Sequence, residues 1–355
     1  MIRGDFVFQA QPNRVVFGVG SILKIKDEAQ RLGITRAVLL STQYQVDTAQ
    51  SLAVHLGDIA TGICSRAVMH TPVEVTQAAL DDLRALDANG IVSIGGGSTI
   101  GLGKALSVRT GLPHIAVPTT YAGSEMTPIL GETENGIKTT RRDKAILPAT
   151  TIYDVNLTMG LPQALSATSG MNAIAHCVEA LYAPDGNPII ALIAEESIRS
   201  ISRALRLVSQ DPSDIEGRKL ALYGAWLAGT CLGSVSMSIH HKLCHTLGGT
   251  FNLPHAETHT VILPHATAFV DEAAPQAMAA IRRALATEAS AAAGLQSLAL
   301  DIGAPTRLAE IGLDHGWLDR AAELAVANPY WTPRPFGRQE IRDLLDKAFR
   351  GELLP

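Results

Sequence analysis

The sequence predicts an α/β domain with a doubly wound parallel sheet, followed by an all-α domain. Short apolar runs alternate with amphipathic segments over the first 150 or so residues, and helical periodicity takes over after Asp154. A chain of 355 residues, 46% of them hydrophobic, fills two cores at roughly 100–200 residues per domain. Residues 37–41, 91–94, 114–118 and 151–154 read as strands. These runs are apolar with little alternation, as in parallel strands covered on both faces. Between them Val75, Ala78, Ala79, Leu83 and Leu86 recur at helical spacing. Residues 126–146 are polar, with Gly131 and Gly136 as turn residues, and read as a hairpin or flap. From about Leu161 onward strand-like runs nearly vanish. Alanine-rich helical segments such as 273–300 are punctuated by Gly303-Ala304-Pro305 and by residues 329–335. The domains are therefore 1–158 and 159–355, without an internal repeat.

Composition excludes several function classes. The 29 basic and 34 acidic side chains leave a net charge of −5 with no long run of either sign. That balance lacks the footprint of a nucleic-acid or anionic-membrane binder. Four cysteines without a CxxC spacing read as reduced thiols, and residues 1–6 lack a signal-peptide layout. Both point to the cytoplasm. Residues 220–239 carry no charge over twenty positions, enough to span a bilayer. Three glycines and three serines within them favour a buried central helix instead.

Two constellations carry chemistry. In the first, the run 91–94 leads into Gly95-Gly96-Gly97-Ser98-Thr99, a strand, a glycine turn and a helix start capped by Ser98 or Thr99. Successive glycines let backbone N–H groups approach an anion such as a pyrophosphate. GxGxxG fails because position 100 is Ile100, and Walker A fails although Gly103-Lys104 resembles its end. Thr119, Thr120 and Ser124, in the turn after the next strand, offer hydroxyls to the same ligand.

The second is a histidine cluster. Of eleven histidines, six lie within residues 240–265: His240, His241, His245, His255, His259 and His265. Buried imidazoles need hydrogen-bond partners, so such density points to a metal or catalytic site. His241 and His245 are spaced i, i+4, as are Asn172 and His176, which puts each pair on one helix face. With His255 from the following turn, the two pairs can converge.

These motifs resemble the iron-containing alcohol dehydrogenase-like superfamily, dehydroquinate synthase-like in fold. The carriers are Gly95-Gly96-Gly97-Ser98, Pro118-Thr119-Thr120, Gly123-Ser124-Glu125, Tyr153-Asp154 and the histidine region. Within that group the blocks at 121–127, 240–249 and 253–259 are most similar to the maleylacetate reductases. The resemblance implies NADH- or NADPH-dependent reduction of the 2-maleylacetate double bond to 3-oxoadipate, in aromatic-compound degradation. It implies a homodimer with the active site between the domains and a small dicarboxylate as substrate. It aligns Lys138 with a lysine beside the nicotinamide ribose, and Ser41 and Leu157 complete the cofactor set. Because Ser41-Thr42-Gln43 includes no acid to repel a 2′-phosphate, both cofactors are expected to serve.

In metal-dependent relatives an aspartate and three histidines hold iron or zinc; the matching positions here are Asn172, His176, His241 and His255. An amide in place of the carboxylate is a poorer ligand, so no metal is expected. An enolate spreads its charge, so His176, His241, His245 and His255 can serve catalysis without one, in a cationic pocket. Asn172 and Lys242 are candidate substrate contacts. The alternatives are a metal-dependent alcohol dehydrogenase and a dehydroquinate synthase-like lyase.

Overall fold

The computed structural model describes residues 6–353 and, at Lys138, the backbone alone. The signal-peptide reading of residues 1–6 falls almost entirely outside the described residues. The chain forms two compact units, one of residues 10–161 and one of residues 162–353 together with 6–9.

The first unit contains β1 (Arg14–Gly18), β2 (Ala37–Leu40), β3 (Ala60–Cys64), β4 (Gly90–Gly95), β5 (His114–Pro118), β6 (Ile129–Glu134), β7 (Ile137–Arg142) and β8 (Thr150–Asp154). Six of these pair in the order β1-β8-β5-β4-β2-β3, all parallel. Successive residues of a strand face opposite ways. Leu39, Val92 and Ile94 pack on one face with Ile25 and Leu52; Val38, Leu40 and Ile91 pack on the other with Leu102 and Leu106. Both faces being covered, the runs are mostly apolar, and polar residues within them such as Ser93 and His114 pair with each other. The flanking helices are α1 (Ile25–Arg31), α2 (Val46–Leu56), α3 (Val73–Ala85) and α4 (Gly97–Thr110).

The expected hairpin is β6–β7, turned by Asn135 and Gly136, both at positive φ. Gly131 is not a turn residue: it lies within β6, opposite Thr140.

The second unit is helical: α5 (Gln163–Tyr182), α6 (Pro188–Gln210), α7 (Ile215–Ser234), α8 (Ile239–Phe251), α9 (His255–Val270), α10 (Pro275–Leu285), α11 (Ala291–Asp301), α12 (Leu318–Ala327) and α13 (Arg338–Arg350). The charge-free stretch 220–239 is not one helix. The chain bends by 94° between α7 and α8, where Asp185 accepts from the Ser236 N–H and Glu179 from the Ser238 N–H. Among the described residues no single helix is long and apolar enough to cross a membrane.

Candidate functional site

The glycine turn is built by close packing. At Gly95, φ is +150°, and a Cβ would come within 2.6 Å of Thr99 Oγ1 and 2.7 Å of Gln45 Oε1. A Cβ on Gly96 would sit 3.1 Å from the Thr120 methyl, whereas one on Gly97 would meet open space. The helix cap is Gly96, not Ser98 or Thr99. Those two residues are drawn into the first turn because α4 starts directly at Gly97. No side chain caps that turn, so the N–H groups of Gly97 and Ser98 head the helix, an arrangement suited to an anion.

Thr119 joins the neighbouring strand end to this turn. Its N–H donates to the Gly95 carbonyl at 3.1 Å, and its Oγ1 accepts from Gln45 Nε2 at 3.0 Å. Ser41 is buried with an unpartnered Oγ, and Ser124 accepts from Lys104. Leu157 and Ile94, the residue before Gly95, line a cavity of about 310 Å³ with Asp47, Thr48, Leu52 and His55. Lys138 lies on β7 opposite Thr133.

In the helical unit, α5 carries Asn172, His176 and Glu179 at spacings of four and three, one stripe of a helix. The start of α8 supplies His240, His241 and His245, and that of α9 supplies His255 and His259. The rings converge. His241 lies 5.2 Å from His176, 4.9 Å from His259 and 6.0 Å from His245, centroid to centroid, and His255 lies 4.2 Å from His259. Asn172, His176, His241 and His259 are buried, while His245 and His255 are exposed. His265 takes no part in these ring contacts; it sits further along α9, where burial and then Lys347 lower its pKa to about 4.

Glu179 organises the cluster. Its carboxylate accepts from the Ser238 and His240 backbone N–H groups and from His241 Nδ1, each at 2.7 Å. His241 therefore carries its proton on Nδ1 when neutral, leaving Nε2 unpartnered. Asn172 Oδ1, His176 Nδ1 and both nitrogens of His259 are likewise buried without partners. One nitrogen from each of His240, His241 and His259 lies within 4.8 Å of the others. Yet His240 Nε2 faces the His259 carbonyl at 2.9 Å and must donate to it, which removes that nitrogen as a ligand.

The expected cationic pocket needs correction. Burial lowers His241 to about 3 and His240 to about 4, and drives His176 and His259 well below the usual range. Those four imidazoles are neutral at pH 7. Cationic character rests on Lys242, whose Nζ stands 5.7 Å from the Tyr330 ring centroid and whose pKa burial lowers. The Tyr330 hydroxyl lies 3.2 Å from His245 Nδ1.

Sequence reasoning assigned no role to Glu179 or Tyr330, and counted His259 in the cluster without giving it a role of its own. Glu179 was signalled by its spacing from Asn172 and His176, and His259 by its i, i+4 relation to His255. Nothing local singles out Tyr330, 85 residues beyond its partner.

The iron-containing alcohol dehydrogenase family matches residues 12–155, and its C-terminal counterpart matches residues 166–349. A maleylacetate reductase from Rhizobium sp. (strain MTP-10005) is 54% identical over 98% of both chains, and one from Sphingobium indicum is 53% identical over 98% of both. The crystal structure of maleylacetate reductase from Agrobacterium tumefaciens superimposes with a TM-score of 0.96 at 55% identity, covering 98% of this chain and 99% of that one. The chain therefore belongs to the iron-containing alcohol dehydrogenase family and, within it, to the maleylacetate reductases.

Proposed function

We propose that the chain reduces the carbon–carbon double bond of 2-maleylacetate to 3-oxoadipate with NADH or NADPH, and that protein side chains handle the proton without a metal ion. The observation that carries this reading is the buried Glu179–His241 pair, which leaves His241 Nε2 unpartnered on a ring packed beside those of His176 and His259.

The iron implied by the family name does not suit this donor set. Asn172 offers only an amide oxygen, and the Glu179 carboxylate is taken up by His241 Nδ1 and two backbone N–H groups. The remaining donors are neutral, whereas non-haem ferrous sites commonly use a carboxylate among their ligands.

The reaction balances with the nicotinamide and one proton. Hydride from the reduced cofactor adds to the alkene carbon β to the ketone, and the π electrons move onto the ketone as an enolate. A proton on the α carbon completes 3-oxoadipate and leaves NAD(P)⁺. Because the enolate charge is delocalised, hydrogen-bond donors can stabilise it. A substrate dianion beside His241 raises that imidazole from its low resting pKa, and Glu179 at Nδ1 stabilises the imidazolium, which gives up its Nε2 proton. Lys242, with His245 and His255 on the exposed side, is suited to the substrate carboxylates. Gly95, Gly96, Gly97, Ser98, Thr119 and Thr120 are assigned to the cofactor pyrophosphate, and the cavity at Leu157 to its adenosine end. The same reading takes the chain as a cytoplasmic homodimer.

The test is turnover of 2-maleylacetate with NADH deuterated at the transferred position. Deuterium on the carbon β to the ketone of 3-oxoadipate supports enone reduction. Deuterium on a newly formed carbinol carbon overturns it in favour of an alcohol dehydrogenase.

A further inference from the structure

Lys104 lies on α4, seven residues beyond Gly97, with 0% of its surface exposed. Complete burial of an ammonium carries a large desolvation cost unless oxygens replace the lost water. Here they do. Nζ donates to the Ser124 carbonyl, to Thr127 Oγ1 at 2.9 Å and to the Ile129 carbonyl at 3.0 Å, with Ser124 Oγ at 3.3 Å. An ammonium has three N–H donors and no lone pair, which matches this all-acceptor shell; a neutral amine would turn a lone pair toward oxygen.

These acceptors lie on residues 124–129, the segment that carries the turn after β5 into β6. Lys104 therefore ties that turn to the helix whose first residues form the glycine turn. Among the described residues, Glu125 and His114 interact with it electrostatically, Tyr153 joins through Glu125, and Glu132 on β6 is paired with Arg109 on α4. Glu125 is buried, accepts from the Tyr153 hydroxyl at 2.7 Å and has an unpartnered Oε2. His114 on β5 lies 2.7 Å from Ser93 Oγ through Nε2. Burial lowers Lys104 to about 7 against the opposing pull of Glu125, and burial followed by the Lys104 charge lowers His114 to about 3. Burial raises both Glu125 and Tyr153.

We propose that Lys104 is a positioning residue for the nicotinamide cofactor, its ammonium bracing the Thr119–Ser124 turn against α4, so that loss of its proton loosens cofactor binding. This rests on the reading above that the two turns hold the cofactor.

The test is the Kd for NADH of the full-length wild type, K104M, T127V and H55Q from about pH 6 to about pH 9. The wild-type Kd is expected to rise about tenfold across that range, with a midpoint near 7. K104M should bind about tenfold more weakly at the acid end, show no pH break, and lose more in KM for NADH than in kcat. T127V and H55Q should keep the break whatever their absolute affinity, H55Q because His55 lines the cavity assigned to the cofactor without touching Lys104, and T127V should weaken binding less than K104M does.

A folded K104M that binds like wild type overturns the proposal, as does a flat wild-type profile or a break that disappears in H55Q. Should K104M fail to fold, the wild-type profile and T127V decide the matter, and an unchanged T127V with a flat wild type overturns it. Wild type that binds no NADH at any pH removes the cofactor reading, and this proposal with it. Binding without the break removes this proposal alone.

Discussion

Burial acts in opposite directions on Glu179 and His241, raising the carboxyl and lowering the imidazole. Two backbone N–H groups hold the carboxyl ionised, so the resting pair is a carboxylate and a neutral ring joined at Nδ1. Replacing His241 by Asn should lower kcat by about 10²–10⁴-fold, the range for loss of a general acid. Glu179→Gln keeps the shape but cannot stabilise the imidazolium, and should lower kcat by at least about tenfold. Both variants should retain wild-type Kd for NADH, measured by fluorescence; a loss of cofactor affinity in either would contradict the assignment. A second consequence concerns stability. The neutral His176, His240, His241 and His259 have folded pKa values below the ordinary 6.5. The unfolded chain therefore takes up protons first as pH falls. Stability from these groups is complete above about 6.5 and declines as pH falls toward their lowered folded values, about 4 for His240 and about 3 for His241. Calorimetry should show Tm falling between about pH 7 and about pH 5, less steeply in His259→Asn. The i, i+4 pairs were readable in the sequence because helix geometry fixes which side chains share a face. The spacing of Glu179 places it on the same face as Asn172 and His176, but its role as their anchor was not readable, because that depends on the bend before α8.

Glycines at the start of α4 divide into two kinds. A Cβ at Gly95 clashes with Thr99 and Gln45 at a positive φ, whereas one at Gly97 meets open space. Gly95→Ala should therefore cost about 1–3 kcal/mol of stability, read from denaturant unfolding. Gly97→Ala should leave stability within about 0.5 kcal/mol, since it meets no protein atom, yet raise KM for NADH severalfold by crowding the phosphate. A destabilised Gly97→Ala with unchanged KM would contradict an anion site there. The central strands β2, β4, β5 and β8 were visible because burial on both faces leaves almost only apolar residues. Edge strands β1 and β3 were missed, their residues being mostly half-buried and less distinctive. The single helix expected over 220–239 failed for a related reason. Hydropathy reports burial but not direction, and polar acceptors on Asp185 and Glu179 turn the chain inside an uncharged run.

Over the whole molecule the chemistry is divided between the two units. In the proposed function the sheet unit supplies backbone N–H groups and hydroxyls for a nucleotide, and the helical unit supplies imidazoles, one carboxylate and an ammonium. Fold class was legible because the period of the hydrophobic pattern changes after Asp154. Protonation states were not, because the sequence shows six clustered histidines but not the depth at which each is buried. The central claim is that this second set acts without a metal despite the family to which the chain belongs. The direct measurement is NADH oxidation with freshly generated 2-maleylacetate, before and after exhaustive chelation, with metal content determined on the same samples. The account predicts undiminished turnover in metal-free protein. Activity that disappears on chelation and returns with iron or zinc would contradict it, and would place Asn172 and the neighbouring imidazoles around an ion.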